Sequence, residues 1–246
     1  MAPVRFDDIR GKRLDVFLDD GGVLNDNRRR GPEWLRLIGE FMPARLGGEA
    51  QGWTDANRSV FSPLWARLQG KMPGFESYEV FETAYALGWM RGMCDVVGVP
   101  CPPDDEAIGL HRELACYVAD RADAAIEGAI EAVRSLHGAG YTLRMASGTP
   151  SWELEGILVR MGVAGLFSEM YGPDLIDHVK YGPGYYEKIF AHAGVEPERA
   201  LVIESDLECC RWAEAAGARA VRIDEGGRGE MARLADFVRE LLKEGA

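Results

Sequence analysis

The chain of 246 residues lacks an apolar run near the ~18 residues that a membrane helix needs, and residues 1–13 lack the apolar stretch of a signal peptide. It has four histidines and five cysteines, and no two cysteines have the spacing of a zinc or redox motif. The chain has 28 basic and 40 acidic residues, which gives a net charge of −12. These absences predict a cytoplasmic protein with reduced thiols, and they argue against nucleic-acid and membrane partners.

What the sequence contains is an alternation of short apolar runs with helical periodicities. The predicted strands are residues 14–18, 141–146, 166–171, 201–203 and 220–223. The predicted helices between and after them are residues 127–137, 152–161, 185–193, 208–216 and 230–243. Strands that alternate with helices predict the α/β class, with a Rossmann-like parallel sheet of five strands covered on both faces.

Residues 31–123 have a different pattern, with helical segments interrupted by Gly and Pro and no convincing strand. Four of the six tryptophans lie in this segment. We therefore predict a core made of residues 1–30 and 124–246, into which a helical domain of residues 31–123 is inserted.

Polar residues follow the predicted strands at the points where those strands end. They are Asp19-Asp20-Gly21-Gly22, Ser147-Gly148, Lys180, and Glu204-Ser205-Asp206. Because ligands of open α/β sheets bind beyond the carboxyl ends of the strands, we expect these groups to converge on one cleft that binds a small molecule.

Each residue type suits a step of group transfer. A carboxylate such as Asp19 can attack phosphorus or carbon and form a covalent intermediate, and Lys180 can neutralise the charge around it. Ser147 can bind a substrate oxygen, and Gly22 lets backbone N–H groups approach one. Simpler interpretations remain open for every position: a turn aspartate, a helix N-cap or a solvated lysine.

The order and spacing of these motifs resemble the haloacid dehalogenase superfamily of hydrolases. LDDGGVLND resembles its first motif, MASGTP its second and VKYGPGYYEKIF its lysine segment, and LVIESDLECCRWAEAAG resembles its fourth motif. The resemblance implies Asp19 as the nucleophile with Ser147 and Lys180 as catalytic partners, and Asp20, Gly22 and Gly148 as substrate-binding residues. It also implies that the helical insertion is a cap domain.

The same resemblance implies a magnesium ion. Its expected ligands are an Asp19 oxygen, the Gly21 carbonyl oxygen and Asp206, with Glu204 as a further carboxylate. Carboxylate and carbonyl oxygens are the ligands that magnesium prefers.

Two positions depart from the pattern of the family's phosphatases. Gly21 stands where they carry the aspartate that serves as general acid and base. Ser205 stands where their fourth motif carries a metal-binding carboxylate, which leaves Asp206 one residue later.

Three functions are compatible with these motifs. The first choice from the sequence is a magnesium-dependent phosphatase of a small phosphorylated metabolite. The second is metal-independent hydrolysis of a carbon–halogen bond, as in the 2-haloacid dehalogenases of the superfamily. Gly21 and Ser205 both suit this chemistry, and Tyr186 matches a tyrosine of those enzymes. The third is a non-catalytic sensing or binding relative. The sequence indicates neither the substrate nor the oligomeric state.

Overall fold

The computed structural model describes residues 6–224 and 231–243, and the chain divides into two compact units. One unit contains residues 1–27 and 124–246, and the other contains residues 28–123. We call them the core unit and the helical unit.

The core unit is built on a five-stranded, wholly parallel sheet, which confirms the predicted α/β class and strand number. The strands are β1 (Asp15–Leu18), β2 (Thr142–Ala146), β3 (Phe167–Tyr171), β4 (Ala200–Glu204) and β5 (Arg219–Arg222). Their order across the sheet is β3-β2-β1-β4-β5. The strands β2 and β3 thus lie on one side of β1, and β4 and β5 lie on the other side. Ligands of open α/β sheets bind at such a switch in strand order.

Helices join the strands and pack on the sheet, as the sequence periodicity predicts. In the core unit they are α1 (Phe6–Ile9), α7 (Ala129–Gly138), α8 (Ser151–Arg160), α9 (Pro183–Ala193), α10 (Leu207–Ala215) and α11 (Leu234–Leu241). Short 3-10 turns cover Ala164–Leu166 and Pro197–Arg199. The predicted start of the last helix at Glu230 lies outside the described residues.

The centre of the sheet is an apolar layer. All four β1 residues are buried, and Leu18 lies between Met145 of β2 and Ile203 of β4. On one face, the rings of Phe17 and Phe190 meet edge to face at 5.3 Å. Burial on both faces explains why the sequence Val16-Phe17-Leu18 is a continuous apolar run rather than an alternating one.

The helical unit consists of α2 (Asn27–Phe41), which begins one residue before it, α3 (Pro43–Leu46), α4 (Ala50–Gln69), α5 (Tyr78–Val97) and α6 (Asp104–Ala119). A 3-10 turn covers Met72–Gly74. Residues 28–123, all of which have a described backbone, contain no strand. No described helix in either unit is long and apolar enough to cross a membrane.

Close contact between α4 and α5 depends on small residues. A Cβ added to Gly92 would lie 2.9 Å from Val60, and one added to Gly88 would lie 2.9 Å from Leu64. The indole nitrogen of Trp89 donates a hydrogen bond of 2.8 Å to Asn57 and so joins the same two helices.

His111 of α6 makes the stability of the helical unit depend on pH. Its ring packs edge-on against the rings of Tyr85 and Trp89 at 5.3 and 5.5 Å. Burial lowers the pKa of His111 to about 4, and the neighbouring charge of Arg112 acts in the same direction.

Because the folded state disfavours the charged imidazole, we expect the free energy of unfolding to fall as the pH drops from about 6.5 to about 4. His111→Phe should remove this contribution. Urea unfolding at several pH values gives the free energy of unfolding of the unaltered protein and of His111→Phe. The difference between the two free energies should change between about pH 6.5 and about pH 4. A difference that does not vary with pH would contradict the prediction.

Candidate functional site

The candidate site begins with Asp19, the first residue after β1. Its backbone N–H still donates to the Ile203 carbonyl oxygen at 3.0 Å, so the position of Asp19 is set by the sheet. Asp19 is 9% exposed, which leaves its carboxylate at the edge of a buried region.

The loop after Asp19 is held by Asp20. The Asp20 carbonyl oxygen accepts the N–H groups of Leu24 and Asn25, both at 2.9 Å. Its carboxylate accepts a 2.6 Å hydrogen bond from the Asn25 side chain and is completely buried. Asp20 therefore shapes the loop that carries Gly21 and Gly22.

Lys180 connects three elements at the carboxyl edge of the sheet. Its ammonium donates to Asp19 Oδ1 at 2.9 Å and to the Ala146 carbonyl oxygen at 3.1 Å, and it forms an ion pair with Glu204. Burial alone would lower the pKa of Lys180, but the two carboxylates outweigh it and hold the pKa well above its ordinary value. Lys180 is therefore a fixed cation beside Asp19.

Glu204, at the end of β4, is the second carboxylate of this cluster and is 1% exposed. One of its oxygens accepts the Tyr186 hydroxyl at 2.7 Å, and the other accepts the Ser205 N–H at 3.2 Å. Burial raises the pKa of Glu204 to about 7, and the nearby charge of Asp19 adds to this, while Lys180 opposes it.

Ser147 follows β2, directly after the carbonyl that Lys180 contacts. Its carbonyl oxygen accepts the buried Tyr185 hydroxyl at 2.7 Å, and its own hydroxyl accepts the Thr149 N–H at 3.2 Å. Gly148 lies against the Lys180 side chain, where an added Cβ would be 3.7 Å from Cδ.

The segment after β4 contacts the nucleophile loop through Ser205. The Ser205 hydroxyl donates to the Gly21 carbonyl oxygen at 2.7 Å. The Asp206 carboxylate is turned to its own helix, where it accepts the N–H groups of Glu208 and Cys209 at 2.7 and 3.3 Å. Asp206 is thus the N-cap of α10.

The structure brings together the predicted residues Asp19, Lys180 and Glu204, with Ser147 and Gly148 beside them. It does not show Asp206 in contact with this cluster. A family model described as haloacid dehalogenase-like hydrolase matches residues 17–217, which include all of these positions.

The chain belongs to the haloacid dehalogenase-like hydrolase family. No curated protein matches it. The family expectation drawn from the four motifs is thereby confirmed.

Solved structures with this fold include both dehalogenases and phosphatases. The chain superposes on the defluorinating L-2-haloacid dehalogenase Rha0230 with a TM-score of 0.67, at 14% identity over 98% of this chain and 99% of that one. For the HAD-hydrolase YfnB from Bacillus subtilis, bound to magnesium, the TM-score is 0.65, at 16% identity over 94% of this chain and 100% of that one. For a predicted phosphoglycolate phosphatase from Haemophilus somnus 129pt, the TM-score is 0.59, at 16% identity over 94% of this chain and 99% of that one. At these identities the similarity shows the fold alone.

The expected magnesium ligands do not fit an ion site as they are arranged. The Lys180 ammonium lies between the carboxylates of Asp19 and Glu204, and the Gly21 carbonyl oxygen accepts the Ser205 hydroxyl. Asp206 caps α10. Within residues 6–224 and 231–243, no group of three or more His, Cys, Asp or Glu side chains is placed to hold a metal.

Two contacts of the site were not predicted from the sequence. The Tyr185 hydroxyl supports the Ser147 carbonyl, and the Ala146 carbonyl accepts from Lys180. The local sequence could not have predicted either contact. A tyrosine at a buried helix position is interpreted as a core residue, and a backbone carbonyl has no sequence signature. The ring of Tyr181, the residue after Lys180, packs against Trp212 of α10 at 5.4 Å.

The two loop glycines differ in what they tolerate. Gly22 has a φ of +80°, and an added Cβ would lie 2.6 Å from Ser205 Cβ. Gly21 lies outside the left-handed region, and an added Cβ would meet only the Asn27 amide group, at 3.0 Å, which is exposed and can rotate.

We therefore expect Gly22→Ala to lower the free energy of unfolding by more than about 2 kcal/mol, and Gly21→Ala to change it by less than about 1 kcal/mol. Gly140→Ala is the matched control, because Gly140 has a φ of +84° and nothing within 4 Å of an added Cβ. It should show only the backbone cost of about 1–2 kcal/mol. Urea unfolding compares the three variants, and equal losses for Gly22→Ala and Gly140→Ala would refute the close contact with Ser205.

Proposed function

We propose that this hydrolase cleaves a carbon–halogen bond without a metal ion, through an ester intermediate on Asp19. One oxygen of the Asp19 carboxylate attacks the carbon, and the electrons of the carbon–halogen bond leave with the halide. Water then attacks Cγ of the ester. The alcohol departs with one proton of that water, the other proton is released, and the Asp19 carboxylate is restored.

The observation that carries this proposal is the absence of an acid at Gly21. A phosphate ester of an alcohol leaves poorly unless its oxygen is protonated, and a positioned acid contributes about 10²–10⁴-fold to such a step. Gly21 has no side chain, and Asp20 is buried with its carboxylate turned to Asn25. A halide leaves as a stable anion and needs no proton.

The contacts of Ser205 support the same chemistry. In the family's phosphatases a carboxylate at this position belongs to the metal site, whereas here a neutral hydroxyl bonds the Gly21 carbonyl oxygen. Lys180 supplies the positive charge beside Asp19. The magnesium-dependent phosphatase that the sequence favoured would need both missing groups.

We assign the other residues by their contacts. Lys180 would orient the attacking oxygen of Asp19, and the segment Ser147-Gly148 would face the substrate. The helical unit leaves the core directly after the nucleophile loop and returns before α7, and we propose that it is the cap that selects a small-molecule substrate.

Asp19→Asn should reduce turnover by about 10³-fold or more, because a neutral amide is a poor nucleophile. In a single turnover of the unaltered enzyme in heavy-oxygen water, the Asp19 peptide should gain the label and the first alcohol released should not. Mass spectrometry of both species is the measurement. Label in the alcohol alone would mean direct attack by water and would exclude the intermediate.

Metal dependence separates this proposal from the phosphatase. Halide release should be unchanged by EDTA and by Asp206→Asn, which retains a capping side chain but removes the carboxylate. The comparison is halide release from 2-chloropropionate and 2-chloropropionamide against phosphate release from p-nitrophenyl phosphate, each with magnesium and with EDTA. Magnesium-stimulated phosphate release that Asp206→Asn abolishes would establish the phosphatase instead, and a folded protein inactive on all three would favour the non-catalytic relative.

A further inference from the structure

Two cysteines of the helical unit, Cys94 and Cys101, lie next to each other. Cys94 is in the last turn of α5, and Cys101 is in the segment that joins α5 to α6. Both cysteines are free, and the Cys94 thiol is in hydrogen-bonding contact with the Cys101 thiol. Because their spacing in the sequence matches no zinc or redox motif, only the fold identifies them as a pair.

The end of α5 brings the following segment close to Cys94. The Cys94 carbonyl oxygen accepts the Gly98 N–H at 2.8 Å and the Val99 N–H at 3.1 Å. Gly98 has a φ of 78°, in the left-handed region that favours glycine. The helix therefore ends in a tight turn, and Cys101 follows shortly after that turn.

An ion pair independently places the start of α6 against the same part of α5. Arg91 of α5 donates to Asp104 Oδ1 of α6 at 2.6 Å. Arg91 lies one helical turn before Cys94, and Asp104 lies three residues after Cys101, so the ion pair and the thiol contact are neighbours. Cys101 also has a proline on either side, and the fixed φ of proline restricts the movement of this segment.

The two thiols differ in exposure, which suits them to different roles. Cys101 is exposed, whereas Cys94 is completely buried. Burial raises the pKa of Cys94 to about 12, and the negative charge of an ionised Cys101 and the hydrogen bond to it act in the same direction. Cys94 therefore remains a thiol at neutral pH and donates its S–H to Cys101, whose sulfur an oxidant in solution can reach.

We propose that Cys94 and Cys101 form a reversible disulfide when the protein meets hydrogen peroxide. The Cys101 thiolate attacks one peroxide oxygen, the O–O bond breaks, and the second oxygen leaves as hydroxide, which takes a proton from the solvent. The Cys94 sulfur then attacks the sulfur of the resulting Cys101 sulfenic acid. The S–O bond breaks, and the hydroxyl group takes the Cys94 proton and leaves as water.

The contact between the thiols prepares them for this second step. In total, each sulfur loses one electron and the peroxide is reduced to two molecules of water. Thiols in hydrogen-bonding contact need to move only a short distance to reach the disulfide bond length of about 2.05 Å. Residues 99–103 belong to neither a helix nor a strand, so Cys101 can make this movement without breaking helical hydrogen bonds. The reaction uses residues of the helical unit alone and does not depend on the function proposed above.

The test uses the unaltered protein and one tryptic digest. Trypsin leaves both cysteines in the peptide of residues 92–112, whereas Cys116 lies in the next peptide, residues 113–121. After hydrogen peroxide and then iodoacetamide, mass spectrometry should find peptide 92–112 without alkylation and lighter by two hydrogen atoms. Dithiothreitol before alkylation should restore two alkylated cysteines. Cys116, which is only partly exposed, is the internal control and should lose its free thiol at least about tenfold more slowly.

Two variants separate the steps. Cys94→Ala removes the second thiol, so Cys101 should accumulate as a sulfenic acid, and dimedone should trap at least about tenfold more adduct than in the unaltered protein. Cys101→Ser should leave the buried Cys94 reduced. The digest of the unaltered protein decides the question if Cys94→Ala does not fold.

Three results of that digest would overturn the inference. The first is a peptide 92–112 that is still alkylated at both cysteines when Cys116 has been oxidised. The second is a disulfide that links Cys101 of two molecules instead of the internal one. The third is conversion of Cys101 to a sulfinic acid without a disulfide.

Discussion

The ammonium of Lys180 lies between two buried carboxylates, and the rest of the site is arranged around that contact. An isolated charge of either sign is costly to bury, and removing one partner of a buried pair leaves the other uncompensated. Asp19, Lys180 and Glu204 are therefore mutually dependent. The Tyr186 hydroxyl and the Ser205 N–H also donate to Glu204, so the cluster is tied to α9 as well as to the strand ends.

Parallel topology is what makes this cluster possible. The three residues are far apart in sequence, but β1 lies beside both β2 and β4, so their carboxyl ends share one edge. The loop between β3 and α9 then carries Lys180 across that edge to the Ala146 carbonyl oxygen. The cluster lies where the strand order switches from one side of β1 to the other, the usual location of ligands in such folds.

The two departures from the family's phosphatases are physically linked. Gly21 removes a side chain from the nucleophile loop, and Ser205 replaces a charged group with a hydroxyl that bonds the same residue's carbonyl oxygen. The hydrogen bond joins the loop after β1 to the loop after β4 without an ion. Gly22 permits this approach, since any side chain there would overlap Ser205.

The sequence by itself determined the family, the α/β class, the five strands and the candidate residues Asp19, Ser147, Lys180 and Glu204. It could do so because buried strands are continuous apolar runs closed by turn residues, and because the motifs have a characteristic order. Strand ends shifted by a residue or two; β4, for example, was predicted at residues 201–203 and spans Ala200–Glu204.

Only the tertiary structure decided what those residues contact. Asp206 could equally have been a ligand or a helix cap, and its orientation toward the N–H groups of α10 makes it a cap. Tyr185 became part of the site because its hydroxyl reaches Ser147, and Lys180 was found to have all three donors engaged. Such contacts depend on side-chain directions and on residues distant in sequence, whereas periodicity and motif spacing report only local conformation and the order of the elements.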